Sequence, residues 1–286
     1  MYKRQIESNP LKFSLEKIVK NALYEDLGQQ GDITSSSIID KSIESSFVLK
    51  SRSKGIVSGI KVAELSFNLL DSALVFEKKL TNGSSVKEGD IIATVRGTAS
   101  SILSAERTAL NFLSHLSGIA SATNEMVNII SKTNTKIVST RKTTPNLRVL
   151  EKFAVKDGGG MNHRFGLYDG ILIKDNHLAL SGSISNSVSL ARSKCGHMVN
   201  IEVEVDNLDQ YKEALETTAD AILLDNFELE DLIKAVSLNK KNKILEASGK
   251  ITKSSILEVA KTGVNLISSG WLTHSSPSLD IGLDFS

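Results

Sequence analysis

The chain has 286 residues, 40% hydrophobic and 23% charged, the balance of a soluble globular protein with capacity for one large domain or two. A net charge of +1 and a pI of about 7.8 exclude a global basic field for nucleic acid, so any anion site must be local. The one cysteine, Cys195, excludes an internal disulfide and a cysteine-only zinc site and fits a reducing, cytoplasmic compartment.

MYKRQIESNPLKF, at the start, has no apolar stretch of signal-peptide length, and no later run approaches the roughly 18 residues of a membrane helix. Residues 14–27, SLEKIVKNALYEDL, carry apolar positions at helical spacing, predicting a helix with Ser14 as N-cap and Gly28 as its stop. From about 44 to 98 the texture changes to short apolar runs split by turns, with Asn82-Gly83 and Glu88-Gly89-Asp90 as hairpin signals. VKEGDIIATVRG resembles half of a biotinyl- or lipoyl-carrier domain. It has no lysine between small or methionine flanks, which argues against a carrier role. The expectation is a β-rich N-terminal domain with one or two packed helices.

Residues 101–131 read as one long helix or a pair. Glu106 falls there among Ile102, Leu103, Ala109, Leu110 and Leu113, where an acid needs a partner, so a structural ion pair is expected. Arg107 lies on the flank of that stripe, free to reach another surface.

From 136 onward KIVSTRK, GILIKDN, VNIEVEV, AILLDN, KILEASG and NLISSG alternate with helical stretches such as LDQYKEALETT and LEDLIKAVSL. Apolar strands alternating with amphipathic helices predict parallel strands covered by helices. Each strand ends on polar or charged residues, and equipment on so many successive strands favours a closed α/β barrel over an open sheet with one switch point.

Those strand ends carry the chemistry. Arg141, Lys142, His163, Arg164 and Lys174 gather cations with few carboxylates, beside Gly158-Gly159-Gly160, whose N–H groups could approach an anion. Each cation alone reads as a solvated surface residue; together they point to a bound anion. Glu204 and Asp225, with Glu202 and Asp206 nearby, could hold Mg²⁺ through oxygen and water ligands or act as an acid/base pair. Asp206 reads better as a cap of the following helix. The loops Ala247-Ser248-Gly249 and Ser268-Ser269-Gly270 have the composition of a phosphate cradle, or of tight turns. No nucleophile-elbow serine or HExxH pair is present.

ERTALNFLSHLSGIA, STRKTTPNLRVLEKFAVKDGGGMNHRFGLYDGILIKDNH, IEVEVDN, ILLDNFELE, LEASGKIT and ISSGWLTHSSPSLD closely resemble the nicotinate-nucleotide pyrophosphorylase (carboxylating), or quinolinate phosphoribosyltransferase, family. The resemblance runs in order from about residue 15 to 284, and TRKT, GGGxNHRxGLxD and IKDNH are specific together. It implies an N-terminal α/β sandwich, residues 1–113 joined by 274–286, and a C-terminal α/β barrel, residues 114–273. It also implies transfer of phosphoribosyl from phosphoribosyl pyrophosphate to quinolinate with loss of CO₂ and pyrophosphate, giving nicotinate mononucleotide in de novo NAD biosynthesis.

By the same resemblance Arg141, Lys142, His163, Arg164 and Lys174 hold the dicarboxylate, with Arg107 entering from the neighbouring subunit of a homodimer, open to assembly as a hexamer of dimers. Glu204 and Asp225 face the ribose and Mg²⁺, and Lys142, Lys174, Glu204 and Asp225 form the catalytic set. Ser248, Gly249, Ser269 and Gly270, with Thr140, complete the substrate contacts. Lys250 and Trp271 depart from the family pattern, in which smaller residues are expected. Three other readings compete: a phosphoribosyltransferase-like paralogue associated with molybdenum transport, a barrel aldolase using Lys174 as a Schiff base, and an inactive ligand-binding protein.

Overall fold

The computed structural model describes residues 10–286, with side chains from residue 15; residues 1–9, which begin the segment read for a leader, lie outside the described residues. In chain order come α1 (Pro10–Leu27), α2 (Ile33–Ile38), β1 (Glu44–Ser51), β2 (Gly55–Ile56), α3 (Ile60–Leu70), β3 (Val75–Lys78), β4 (Ser85–Val86) and β5 (Ile91–Thr98). The long α4 (Ala99–Ile129), β6 (Lys136–Val138) and α5 (Arg148–Asp157) follow. Then come β7 (Ile171–Ile173), α6 (Asp175–Ser181), α7 (Ile184–Lys194), β8 (Ile201–Val205), α8 (Leu208–Glu216), β9 (Ala221–Asp225), α9 (Leu229–Leu238) and β10 (Ile244–Ser248). The chain closes with α10 (Ile256–Lys261), β11 (Leu266–Ser268), α11 (Trp271–His274) and β12 (Ile281–Phe285).

Two compact units form. The first takes the described residues through Ser121 with Pro145–Gly158 and Ser276–Ser286; the second takes Ala122–Thr144 and Gly159–Ser275. In the first, an antiparallel sheet of order β12-β1-β5-β3 is covered by α4, whose Ile102, Ala105, Ala109 and Leu113 meet Phe47, Leu49 and Val95. That spacing of three and four is the helical stripe read from the sequence. Glu106 departs from expectation: it is half-buried on the edge of the stripe, with no ion pair among the described residues. A second core joins Val19 and Leu23 of α1, Phe112 and Leu116 of α4, and Leu150 and Ala154 of α5.

Several local expectations are corrected. α1 begins at Pro10, so Ser14 is inside the helix rather than its cap; proline suits the first turn because it has no N–H to leave unpaired. Gly28 does end α1, at φ +54° with its N–H on Tyr24 O at 2.9 Å. Gly83 and Gly89 have the left-handed conformations of turns, but β4 pairs with β2 while β3 and β5 pair with each other, so neither turn joins two paired strands. The glycine triplet ends α5: Gly158 N–H returns to Ala154 O at 3.0 Å, and Gly159 has φ +93°. Ending the helix is the requirement that Gly158 and Gly159 meet.

The second unit holds a parallel sheet of order β6-β11-β10-β9-β8-β7. From β7 to β11 each strand lies beside its neighbour in the chain, and the last, β11, lies beside the first, β6. This is the circular order of an α/β barrel without a switch point. No ladder joins β6 to β7 among the described residues. Instead Met161 bridges Val138, and Arg164 Nη1 donates to Gly170 O at 2.9 Å just before β7. The segment 159–170 therefore runs from one edge strand to the other. No helix among the described residues is long and apolar enough to cross a membrane.

Candidate active site

The barrel strands are not apolar on both faces, as the sequence suggested. Ile171 and Ile173, Ile201, Val203 and Val205, Ile222 and Leu224, Leu245 and Ala247, and Ile267 pack into the core of the unit. The alternate positions, Leu172 and Lys174, Glu204, Leu223 and Asp225, Glu246 and Ser248, and Ser268, line a cavity of about 650 Å³. A period of two turns one face of each strand toward its helices and the other toward this space. Thr140, Arg141, Lys142, His163 and Arg164 also line it, with Gly249, Ser269 and Gly270, all within the second unit. Of the residues expected at the site, Arg107 alone is elsewhere, exposed on α4 in the first unit.

The cations are arranged for something anionic. Burial first, and then the Arg141 guanidinium, push Arg164 below the ordinary arginine range, against the pull of Asp169 and Glu202. The Nε atoms of Arg141 and Arg164 are buried without a hydrogen-bond partner. Buried charged donors left unpaired are costly, and a carboxylate or phosphate satisfies such forks best. Lys174 Nζ is ion-paired with Glu204. Lys142 packs so closely that a Cβ on Gly270 would fall 2.7 Å from its Cδ, so glycine there admits the lysine to the cavity.

Asp225 accepts a hydrogen bond from Asn226 Nδ2 at 2.7 Å, and Asn226 N–H donates to Ser248 O at 2.9 Å. A Cβ on Gly249 would meet Asn226 Oδ1 at 2.3 Å, and Gly249 has φ +98°, so both space and conformation require glycine. The next residue, Lys250, holds φ +47°. A lysine there strains the backbone by about 1–2 kcal/mol. Lys250→Gly should therefore stabilise the protein by about 0.5–1 kcal/mol, after glycine's extra entropic cost of roughly the same size. Thermal melting would show it as a rise of a few degrees; a fall would mean that Lys250 makes contacts outweighing the strain.

Asp206 does not cap α8: Asn207 does, accepting from the N–H groups of Asp209 and Gln210. Trp271 is half-buried at the cavity wall, with Lys253 Nζ 5.3 Å from its ring centroid.

Two further acids stand near His163: Glu202, which the sequence offered as a neighbour of the Mg²⁺-binding pair, and Glu246, which sequence reasoning left out of the site. Glu202 accepts from His163 Nε2 at 2.6 Å, and Glu246 Oε2 is 3.9 Å from the same nitrogen. Arg164 N–H donates to His163 Nδ1 at 2.7 Å, which makes Nδ1 the acceptor and leaves the ring proton on Nε2. The three side chains are close enough to hold a metal ion. A ring with its proton on Nε2 offers no lone pair there, so the hydrogen bonds do not suit a metal. Their signal in the sequence was spacing: Glu202 is two residues before Glu204, and Glu246 two before Ser248.

Comparison with known proteins decides the family. The family model described as quinolinate phosphoribosyl transferase, C-terminal domain, matches residues 119–284, and its N-terminal counterpart matches 32–117. The chain belongs to the quinolinate phosphoribosyltransferase family. It is 46% identical over 273 residues to the "Probable nicotinate-nucleotide pyrophosphorylase (carboxylating)" of Bacillus subtilis, covering 94% of this chain and 93% of the relative. A relative with the same name from Methanocaldococcus jannaschii is 43% identical over 277 residues, covering 94% and 96%. The solved nicotinate-nucleotide pyrophosphorylase of Francisella tularensis superposes with a TM-score of 0.90 at 38% identity, over 96% of each chain. In this member of the family the cations and acids that line the cavity project from β7 to β10 or from the loops beside the strands, and α/β barrels carry their chemistry at such a rim.

Proposed function

We propose that this pentosyltransferase joins quinolinate to phosphoribosyl pyrophosphate, releasing CO₂ and pyrophosphate and forming nicotinate mononucleotide for NAD biosynthesis. The observation that carries the reading is the pair of buried, unpartnered guanidinium nitrogens of Arg141 and Arg164 in a cavity that also holds Lys142 and Lys174. Two adjacent carboxylates on a pyridine ring match that density of positive charge.

In this reading Arg141, Lys142, Arg164 and Lys174 hold the dicarboxylate, and His163 positions the segment between them. Ser248, Gly249, Ser269 and Gly270, with Thr140, cradle the 5′-phosphate, where small residues let backbone N–H groups approach. Glu204 and Asp225 stand on neighbouring strands and face the ribose. No protein nucleophile is needed, because the pyridine nitrogen attacks the ribose carbon as pyrophosphate departs. The acids stabilise the positive charge that develops at that carbon, and the cavity's contribution is positioning. The ring nitrogen, now bonded to ribose and positive, stabilises the carbanion left when the adjacent carboxylate leaves as CO₂.

Glu204 and Asp225 also suit Mg²⁺: both are carboxylates, each only half-buried, and hard oxygen donors are what that ion takes. Bound there, Mg²⁺ would neutralise charge on the departing pyrophosphate. Lys174, an ammonium paired with Glu204, is poorly placed to act as a Schiff-base amine. We extend the proposal to a homodimer in which a second copy brings Arg107 to the cavity; that residue is exposed and has no ion pair among the described residues. A cytoplasmic setting suits the free Cys195.

Purified protein with Mg²⁺ should form nicotinate mononucleotide from quinolinate and phosphoribosyl pyrophosphate, followed by ultraviolet absorbance. Nicotinate, which leaves part of the cationic set unpaired, should turn over at least about a hundredfold less efficiently. Equal use of both acids would contradict the reading.

A further inference from the structure

Glu246 is 1% exposed, and its Oε2 has no hydrogen-bond partner although the residue lines the cavity. The groups around it offer little to balance a negative charge. From the segment before β7, His163 has one ring proton, and it is given to Glu202 at 2.6 Å. From β8, Glu202 and, with a weaker field, Glu204 are both acidic. β9 presents Leu223 in register with Glu246, and β11 supplies the hydroxyl of Ser268. Two buried carboxylates beside a single N–H donor that bonds only one of them do not both ionise readily. Glu202 holds the N–H donor, and the Glu246 carboxyl, left with none, is pushed toward its neutral form.

We propose that Glu246 gates substrate binding: with its carboxyl neutral the cavity floor accepts a dianion, and with it ionised the floor repels one. This rests on the reading that the cavity takes a dicarboxylate. Burial, then the Glu202 charge, push the Glu246 carboxyl up to about 7, opposed by the Ser268 hydroxyl. The gate is therefore open below about pH 7 and closes as pH rises through it. If only the neutral form binds, apparent affinity falls with its population, roughly tenfold between about pH 6 and pH 8.

The test is calorimetric titration of quinolinate alone into the full-length enzyme at about pH 6 and pH 8, on either side of that value. Wild type should bind about tenfold more weakly at the higher pH, and Glu246→Gln, neutral at both, should bind with the same affinity at each. Stability supplies a second readout. A carboxyl with a folded-state pKa raised above its unfolded value costs stability as pH rises from about 4.5 to about 7, so the Gln variant should gain melting temperature over wild type more at the higher pH than at the lower. Glu246→Met, of similar size and without a titrating group, serves if the Gln variant does not fold. Wild-type affinity unchanged with pH, or a Gln variant that keeps the tenfold fall, would overturn the gate. A Gln variant equally weak at both pH values would make Glu246 structural and overturn it too. No quinolinate binding by wild type at either pH would instead fail the functional reading, and the gate with it.

Discussion

Arg107→Ala and Lys174→Ala, each nearly inactive alone, should recover roughly a quarter of wild-type activity when unfolded and refolded together in equal amounts. Removing either cation leaves a carboxylate or phosphate of the ligand unpaired in the cavity, a loss of several kcal/mol by analogy with other buried charge pairs, or about a hundredfold or more in kcat/KM. In the proposed isologous dimer each site would take Lys174 from one chain and Arg107 from the other. Random pairing makes half of the dimers mixed. Each mixed dimer then has one site with both residues intact and one with neither. If Arg107 served its own chain's cavity, every site in a mixed dimer would lack one cation and no activity would return. Activity that stays at the level of the separate variants, with mixed dimers shown by mass spectrometry, would rule out the shared site.

How much of this was legible beforehand differs by level. The parallel α/β character followed from the alternation of strand-like and helical runs, and the polar strand ends pointed to one rim of a barrel. The face of each strand was harder to read. In IEVEV the glutamates look like interruptions of an apolar run until Val203 and Val205 are seen packing outward while Glu202 and Glu204 turn inward. A parallel strand in a barrel has two environments, and a short window of sequence cannot tell which face holds ligands. The same ambiguity hid Glu246 behind Ser248 and Gly249.

Local signals failed where tertiary contacts decided the outcome. Asn82-Gly83 makes a turn of the expected conformation, yet β4 leaves its neighbour for β2, because pairing is chosen by the sheet and not by the turn. Gly158-Gly159-Gly160 could equally cradle an anion or stop a helix, and the helix before it was not recognised because Glu151 and Lys152, both fully buried, break its apolar pattern. His163 was counted among cations from its residue type. Its hydrogen bonds, to Glu202 on one side and from the backbone N–H of the next residue on the other, are contacts that no pattern of side chains reports.

Gly118→Ala should be among the most destabilising single-methyl changes in the chain, lowering the melting midpoint by about 5–10 °C. Gly118 lies in the middle of α4, where alanine would ordinarily be favoured by roughly 1 kcal/mol. A Cβ there would stand 2.2 Å from Pro277 O and 2.8 Å from Ser278 Cα. Both are backbone atoms, so no side chain can swing aside to make room. The same stretch is tied to the helix by Leu279 N–H, which donates to Ser114 O at 3.0 Å, and it leads directly into β12. Pushing it away would strain or break that hydrogen bond and disturb Leu279 and Ile281 in the core, a combined cost of about 2–4 kcal/mol that outweighs the gain in helix propensity. Gly196→Ala is the control, because a methyl there has nothing within 4 Å and the backbone is not left-handed. If the two variants melt together, the close approach of residues 277–278 to α4 does not hold in solution.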